Sequence, residues 1–436
     1  MNNNNRYNGQ SVRCVSSILQ HMTITKEQLL FDLFVAFYDA ARHKYSKDYV
    51  KYFQKNLLEN LISIRDDLFN RIYVAEPSTC FIADRPKKRE IFAANFRDRV
   101  VQHLYYNYVH EMFERTFITD TYSCIKYRGT SFGIERLTHH IRSESNDWKE
   151  PCYALKIDIK GYFINIRKDI LLKIVNEELD KFEYKFCNKE QTKQCGEILD
   201  FDLLRYLSKE IIMLDPTSNC KQNATAKDYI GLPLYKSLFG VDRIKGLPVG
   251  NITSQLFSNI YMNRYDQFVK RVLKVKHYGR YVDDSYYVSK DKQFLLNLIP
   301  QITKFLKTEL DLDVNQGKTH LIEVKYGVEF LGAFIKPFRT YISNQALYRM
   351  KKSIKENETN MTSQQKVQSA ISRIGLLKQY KSYNIIKELF YKQKIQYLST
   401  GFFYSSSYWS SSISSSTLSL TAFASSAIFS FPLLNL

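Results

Sequence analysis

The sequence is poor in cysteine, glycine and proline. Seven cysteines, an odd number, are scattered from Cys14 to Cys220 without a Cys-x-x-Cys pair, which excludes a disulfide-stapled scaffold and offers no zinc-binding spacing. With 15 glycines and 9 prolines in 436 residues, collagen-like repeats are excluded as well. The first ten residues are polar and rich in asparagine, so we expect no secretory signal. These features together predict a cytoplasmic protein.

Acidic residues are scarce relative to basic ones. The chain has 63 Lys and Arg against 44 Asp and Glu, which gives a formal net charge of +19. With 44% hydrophobic and 25% charged residues, the composition is that of a folded protein rather than a disordered one. The charge excess favours a polyanionic partner. The 32 Tyr and 29 Phe include rings suited to stacking on bases, although most of them are expected to fill the core.

Charge is missing altogether from the C-terminal end of the sequence. No charged residue follows Lys394, and residues 405–416 are largely serine. Residues 417–436 are apolar, but serines interrupt them repeatedly. The pattern favours a low-complexity appendage over a membrane span, and no membrane association is expected.

Hydrophobic periodicity predicts a mixture of helices and strands. Apolar residues at helical spacing predict helices over residues 25–73, 100–117, 253–269 and 345–396. Short apolar runs bounded by turn residues predict strands over residues 79–83, 154–158, 327–335 and 339–342, and a hairpin within 277–288. The helix over 253–269 is expected to be amphipathic.

Two adjacent carboxylates, Asp283 and Asp284, fall at the bend of the predicted hairpin. Adjacent carboxylates repel each other, and divalent cations, hydrogen bonds or solvent must offset that cost. A solvated turn would explain the pair if it stood alone. Asp158, however, ends a separate predicted strand. Acidic sites on distant strands of a very basic chain fit a two-metal phosphoryl-transfer centre, for which Mg²⁺ is suited.

Several motifs follow one another in the order and spacing found in reverse transcriptases. They are Asp158 with Phe163, residues 246–255, residues 281–284, Lys318 and residues 330–332. Residues 87–102 resemble the fingers motifs of the bacterial branch, so the resemblance covers roughly residues 25–395. Within that branch, Val249, Gly250 and Gln255 are similar to the pattern of reverse transcriptases from diversity-generating retroelements, and residues 373–383 resemble the thumb of that family.

The resemblance implies a right-hand polymerase of the α+β class, with a ferredoxin-like palm sheet and a helical thumb. The implied domains are a polar N-terminal tail (1–24), fingers (25–150), a palm (151–337) with an insertion around 184–245, a thumb (338–396) and a serine-rich tail (397–436).

The resemblance also implies the roles of the acidic residues. Asp158 and Asp283 would bridge two Mg²⁺ ions, for which Mn²⁺ is a possible substitute, and Asp284 would complete the acidic cluster. The backbone carbonyl of Ile159 would assist as a metal ligand. Lys318 would protonate the leaving pyrophosphate, although Lys325 is a nearby competitor for that role.

Other residues are implied to surround the incoming deoxynucleotide or the primer. For the nucleotide they are Arg89, Gly161, Tyr162, Phe163, Val249, Gly250 and Gln255. Phe163 would be a steric gate that occupies the space needed by a ribonucleotide 2′-OH. Arg89, with Lys87 or Lys88, would clamp the triphosphate. Residues 330–332 would hold the primer end.

Val249 stands where polymerases at large commonly carry a glutamine. A glutamine amide can hydrogen-bond near the substrate sugar, whereas a valine side chain cannot. The loss of a polar contact at the nascent base pair reduces discrimination between substrates. The family that this chain resembles misincorporates opposite template adenines, so Val249 is expected to contribute to such errors.

The implied function is error-prone copying of a template RNA into cDNA, with a small basic accessory protein as partner. One alternative is a phage-defence or group II-like reverse transcriptase; Val249 and Gln255 argue against the group II branch. Another is a non-catalytic RNA-binding relic of a polymerase. The presence of all three aspartates argues against a relic.

Overall fold

A computed structural model describes residues 23–84, 87–187, 199–357, 361–380 and 382–391. The predictions for the N-terminal tail up to residue 22 and for residues 397–436 lie outside this part. Residues up to Val328 form one compact unit, and those from Glu329 form a second. Within the described ranges, no helix combines the length and the apolarity needed to cross a bilayer.

The first unit contains helices and strands in mixed order. Its helices are α1 (Lys26–Ala41), α2 (Asp48–Lys55), α3 (Leu57–Phe69), α4 (Phe96–Glu114), α5 (Thr130–Glu144), α6 (Tyr162–Asn165), α7 (Lys168–Cys187), α8 (Phe201–Met213), α9 (Ile252–Gln267) and α10 (Lys292–Leu310). Its strands are β1 (Ser78–Ala83), β2 (Arg89–Ala93), β3 (Tyr153–Ile157), β4 (Cys220–Gln222), β5 (His277–Tyr281), β6 (Asp284–Ser289) and β7 (His320–Glu323). The helices and strands predicted for this unit from hydrophobic periodicity are confirmed.

The N-terminal helices α1 to α3 pack against α4 through a continuous apolar core. Thr25 directly precedes helix α1, and its side-chain oxygen accepts a hydrogen bond from the Gln28 amide at 3.2 Å and so caps the helix. Leu29, Leu33 and Phe37 face inward and are fully buried. The same core continues under α7 to α10 and ends at Leu312.

Helix α9 corrects one sequence prediction. It was expected to be amphipathic, but it is buried on nearly all sides. Its polar residues Asn259 and Asp266 are less than 2% exposed. They are buried because distant segments supply hydrogen-bond partners for them, as when the Asn259 side-chain amide donates to the Ser123 carbonyl at 2.8 Å.

A small three-stranded sheet joins segments that are far apart in sequence. Strand β1 pairs antiparallel with β2 and parallel with β4, with Ser78 opposite Cys220. Glu90 on β2 is buried and accepts hydrogen bonds from the Ser237 hydroxyl at 2.8 Å and the Leu238 amide at 2.7 Å. The insertion expected around 184–245 is therefore tied to the β1–β2 hairpin, which the sequence did not predict.

The first unit also contains a four-stranded antiparallel sheet in the order β7-β3-β6-β5. In chain order, β3 is followed by helices, then by the β5–β6 hairpin, then by α10 and β7. Residue Ile157 of β3 pairs with Ser285 of β6. This register brings the end of β3 beside the start of β6.

The second unit, together with Val328, contains β8 (Val328–Phe330), β9 (Ala333–Lys336), β10 (Arg339–Ile342), α11 (Asn344–Asn357), α12 (Ser363–Lys378) and α13 (Tyr383–Ile386). The three strands form a sheet in the order β10-β9-β8. Thr362 and Gln365 form a reciprocal capping box at the start of α12. The strands and basic helices predicted here are confirmed as far as the described residues extend.

Candidate active site

The bend between β5 and β6 is a two-residue turn made of Val282 and Asp283. Tyr281 pairs with Asp284 across the hairpin, so both carboxylates lie at its tip, as predicted. Val282 has a φ of +56°, which is unfavourable for a β-branched residue and persists only where surrounding contacts hold it. The tip therefore depends on the residues beneath it.

A buried ion pair supports this strained bend. Arg280 and Asp266 are completely buried, and Arg280 donates through Nε to Oδ1 at 2.8 Å and through Nη2 to Oδ2 at 2.6 Å. The Nη1 of Arg280 donates to the Val282 carbonyl at 2.8 Å. From the other side, the Val282 amide donates to the Ser123 hydroxyl at 3.2 Å. Both backbone groups of the left-handed residue are thus held by hydrogen bonds.

The third predicted acid, Asp158, lies beside this tip. It follows directly after Ile157, which pairs with Ser285, so the antiparallel register brings Asp158 opposite Asp284. Burial and then the charge of Asp158 raise the pKa of Asp283 to about 6. Burial also raises the pKa of Asp284, against the opposing effect of Lys156. The strand register thus places all three predicted acids at the same end of the β3–β6 pair.

Lys318 makes direct contact with this acidic cluster. Its Nζ lies 2.9 Å from Oδ2 of Asp158. Burial lowers the pKa of Lys318, but the hydrogen bond and charge of Asp158 outweigh burial and leave a net upward shift. The competitor Lys325 instead pairs with Glu323 at 2.7 Å. Of the two lysines, Lys318 is the one in contact with a predicted catalytic acid.

Two further side chains at the cluster were missed in the sequence. The Asn315 side-chain amide donates to Oδ2 of Asp158 at 3.0 Å, and Lys156 Nζ lies 3.5 Å from Oδ1 of Asp284. Lys156 could have been found, because residues two apart on a strand point to the same face and Lys156 lies two before Asp158. Asn315 is distant in sequence and gave no such signal.

The donor chemistry of the cluster fits a hard divalent cation, since carboxylate and carbonyl oxygens are the ligands that Mg²⁺ prefers. In this conformation the lysines neutralise Asp158 and Asp284. No group of three His, Cys, Asp or Glu side chains in the described ranges is gathered closely enough to hold a metal. Ile159, whose carbonyl is a predicted metal ligand, lies opposite Val314 in an isolated antiparallel β-bridge. The hydrogen bonds of that bridge are made by the residues on either side of Ile159, through the Asp158 carbonyl and the Lys160 amide.

The predicted nucleotide-contacting turn follows Asp158. Gly161 adopts a left-handed φ of +55° at the start of α6. Tyr162 is buried, and its hydroxyl donates to the Ser258 carbonyl on α9 at 2.6 Å. Phe163 is partly buried, and its carbonyl accepts from the Leu247 amide at 2.9 Å. The turn is thereby joined to the loop that contains Val249.

The loop with Val249 and Gly250 is attached to β2. The Phe92 amide donates to the Val249 carbonyl at 3.3 Å. Gly250 has a φ of +118°, and a Cβ at this position would lie 3.1 Å from Ile91 Cγ2, so a side chain here would be both strained and crowded. Gln255 is partly buried on the first turn of α9.

Two of the residues predicted to clamp the triphosphate, Arg89 and Lys88, lie in different environments. Arg89, at the start of β2, is exposed. Lys88 is engaged elsewhere, because its Nζ donates to the carbonyls of Asp228 at 2.8 Å and Ile230 at 2.9 Å. Lys88 therefore anchors the insertion. Residues 330–332, the predicted primer grip, form the end of β8 and its turn in the second unit.

Comparison with known proteins identifies one domain. The family described as reverse transcriptase (RNA-dependent DNA polymerase) matches residues 212–335, which include Asp283, Asp284 and Lys318. This stretch of the chain is therefore similar to a reverse transcriptase domain, and the family is described as RNA-dependent DNA polymerases. Asp158 precedes the matched range. None of the curated proteins matches the chain.

Three solved telomerase structures from Candida share a distant likeness with the chain. Telomerase from Candida albicans in complex with a fragment of telomeric RNA is 12% identical, with a TM-score of 0.45, and the match covers 77% of this chain and 56% of that one. Telomerase from Candida tropicalis truncated from its C-terminal domain is 12% identical, with a TM-score of 0.42, and the match covers 62% of this chain and 56% of that one. The apo enzyme of that species is 12% identical, with a TM-score of 0.40, and the match covers 64% of this chain and 53% of that one. The chain thus spans little more than half the length of these telomerases.

Proposed function

We propose that this protein is an RNA-directed DNA polymerase of the right-hand type, with fingers, palm and thumb at residues 25–150, 151–337 and 338–396. The observation that carries the proposal is the convergence of Asp158, from one strand, with Asp283 and Asp284, from the tip of another hairpin. The strand order β7-β3-β6-β5 with its helix-containing connections supports a ferredoxin-like palm.

The acidic cluster would hold two Mg²⁺ ions through Asp158, Asp283, Asp284 and the Ile159 carbonyl. Bound there, the ions would lower the pKa of the primer hydroxyl and stabilise the charge of the leaving pyrophosphate. Lys318 and Lys156 contact two of these same acids, so Asp158 and Asp284 would exchange a lysine for an ion, and Lys318 would remain beside the site.

Lys318 supplies a proton to the pyrophosphate leaving group. Its upward-shifted pKa keeps it protonated at neutral pH while it waits near the acids. General acid catalysis requires the donor within hydrogen-bond reach of the group that it protonates. The 2.9 Å contact between Lys318 and Asp158 supports such reach, because the transferred phosphate binds against the same acids.

Selection of the nucleotide depends on the residues around the turn after Asp158. Phe163 excludes substrates that carry a 2′-OH, and the Gly161 and Tyr162 amides face the triphosphate. The buried Tyr162 side chain holds this turn to α9 through Ser258. Arg89 is exposed, as a residue that clamps an arriving triphosphate must be. The resulting specificity is for deoxynucleoside triphosphates.

The finer proposal is that the enzyme copies a retroelement's template RNA into error-prone cDNA in the cytoplasm, together with a small basic accessory protein. The sequence Val249-Gly250 with Gln255 supports this subtype. The valine side chain offers no hydrogen bond to the nascent pair, and its carbonyl is engaged by Phe92. Val249 therefore contributes apolar contact alone, which lowers discrimination at the nascent base pair.

Primer extension on an RNA template tests both levels of the proposal. We expect the chain to incorporate labelled deoxynucleotides, and Asp283→Asn to lower incorporation by about a thousandfold, since metal-ligand loss removes several kcal/mol of transition-state stabilisation. Asp202→Asn, an exposed acid on α8, is the matched control. Equal incorporation by wild type and Asp283→Asn would refute the polymerase. Sequencing the cDNA tests the subtype, which accurate copying of adenines would exclude.

A further inference from the structure

Helix α2 presents aromatic rings to solvent on a short amphipathic scaffold. Val50 is fully buried and Phe53 nearly so, and the Phe53 ring packs edge-on against Phe96 of α4 at 5.1 Å. This anchoring turns the opposite face of the helix outward. On that face Tyr52 is 81% exposed. Its ring lies outside the core, so the core does not account for its presence.

Tyr52 belongs to a surface that combines rings with cations. Tyr45 and Tyr49 are exposed as well, at 45% and 41%. Residues 42–55 contain five Lys and Arg and a single acid, Asp48. We call this the α2 surface and define it by Tyr45, Tyr49, Tyr52, Lys47, Lys51 and Lys55, which are all exposed. Tyr49 and Tyr52, like Lys51 and Lys55, are neighbours on the helix.

Neighbouring residues make this region more electropositive. Arg99 of α4 stacks on the Tyr49 ring at 5.0 Å and donates to its hydroxyl at 3.3 Å. Burial and then the charge of Arg99 lower the pKa of Lys44. Burial and then Lys44 lower the pKa of His103 to about 4. Burial is the larger cause of both pKa shifts, but the second cause in each case is a neighbouring cation. Cations therefore lie close together here, which favours an anionic partner.

We propose that the α2 surface binds single-stranded RNA, with phosphates on the lysines and bases stacked on the tyrosines. Single-stranded nucleic acids alternate charged phosphates with flat bases, and proteins bind them through basic surfaces that carry exposed aromatic rings. An acidic peptide would meet the lysines but supply no faces for the rings. The proposal rests on the proposed function in one respect, that the RNA is the template.

Fluorescence anisotropy with the full chain and a labelled oligouridine tests the surface. Tyr52→Ala is expected to weaken binding by about tenfold, because one base loses the ring on which it stacks, while Tyr52→Phe retains binding. The double variant Lys51→Ala/Lys55→Ala is expected to reduce the slope of log affinity against log salt by about 1.4. Tyr184→Ala is the matched control, since Tyr184 is 73% exposed and lies next to Glu183, an acid paired with Arg205.

Outcomes separate this inference from the polymerase proposal. Unchanged oligouridine affinity in both Tyr52→Ala and Lys51→Ala/Lys55→Ala would overturn the α2 surface, even if the chain extends primers. Weakened affinity in these variants would support it, even if no primer is extended. Displacement of the labelled RNA by polyglutamate as effectively as by unlabelled RNA would indicate an acidic protein partner and would also overturn it.

Discussion

The two hairpins that carry the predicted motifs both have left-handed residues in their turns, but different residue types occupy these positions. The β5–β6 turn has Val282 at φ +56°, and the β8–β9 turn has Leu331 at +51° followed by Gly332 at +81°. In the second turn, one of the two left-handed positions is a glycine, which adopts this conformation without steric cost. In the first, the left-handed residue is β-branched and the next is the acid Asp283.

The difference shows where a functional turn depends on the rest of the molecule. A turn with glycine needs little outside help, and Gly332 makes one further bond, from the Ser343 amide to its carbonyl at 2.8 Å. The Val282 turn is held from beneath by Arg280, Asp266 and Ser123. Its conformation is therefore as stable as that buried network.

Among the tests of this difference between the two turns, replacing the buried Arg280 is expected to cause the largest loss of stability. Arg280→Met leaves Asp266 buried without its partner, which we expect to cost about 3–5 kcal/mol of unfolding free energy. Denaturant titration measures this loss. The double variant Arg280→Met/Asp266→Asn removes the unpaired charge but keeps an acceptor for the Tyr278 hydroxyl. It is expected to recover part of the stability while incorporating deoxynucleotide poorly, because the Val282 carbonyl still lacks its donor. Full activity of the double variant would show that the bend needs no such support.

Acid is expected to weaken the β5–β6 hairpin through His140 of α5. Burial, with the charges of His277 and Arg136, lowers the pKa of His140 to about 4 against the opposing effect of Asp120, and its Nδ1 lies 3.0 Å from the Tyr286 hydroxyl on β6. The unfolded chain takes up a proton near pH 6.5, so stability is complete above that pH. It is lost as the pH falls towards 4, by on the order of 2 kcal/mol.

Melting temperatures between pH 7.5 and 4.5 test this dependence. His140→Gln is expected to show a flatter decline than wild type, although His277, whose pKa burial also lowers, still contributes to it. His139→Gln, on the exposed neighbouring residue of the same helix, serves as the matched control and should follow wild type. Identical declines for His140→Gln and wild type would contradict the assignment.

The smallest effect is expected at the glycine turn. Gly332→Ala forces a side chain into the left-handed region, at an expected cost of about 1 kcal/mol. Crowding adds little, because the new Cβ would lie 3.6 Å from that of Ala346. Gly375→Ala is the control and is expected to raise the free energy of unfolding. Gly375 lies in α12 with open space around it, and alanine favours the helix more than glycine does. Equal shifts for both variants in denaturant titration would refute the backbone explanation.

Local patterns in the sequence were sufficient to predict the hairpin that carries Asp283 and Asp284. Alternation and turn residues are local signals that also identified β1 and β3, and helical spacing of apolar residues identified the N-terminal helices. The resemblance among distant motifs then related Asp158 to the hairpin tip. Each motif used in these predictions is itself a short stretch of the chain.

Features that depend on pairing between distant segments were not predictable. Asp266 and Asn259 read as the polar face of α9, and only their partners Arg280 and Ser123 explain their burial. Strand β4 is three residues long, too short for a periodic pattern. The choice between Lys318 and Lys325 was open until the contact with Asp158 was seen, because side-chain reach across strands is not encoded in spacing.

The ammonium groups beside Asp158 and Asp284 have a consequence for how this region matures. Internal counter-ions offset the mutual repulsion of the acids, so the tip of the hairpin can assemble before any divalent ion arrives. Newly made chains would then reach their native shape in a chelating medium. Under the proposed function, the binding of divalent ions would then be a separate, later event.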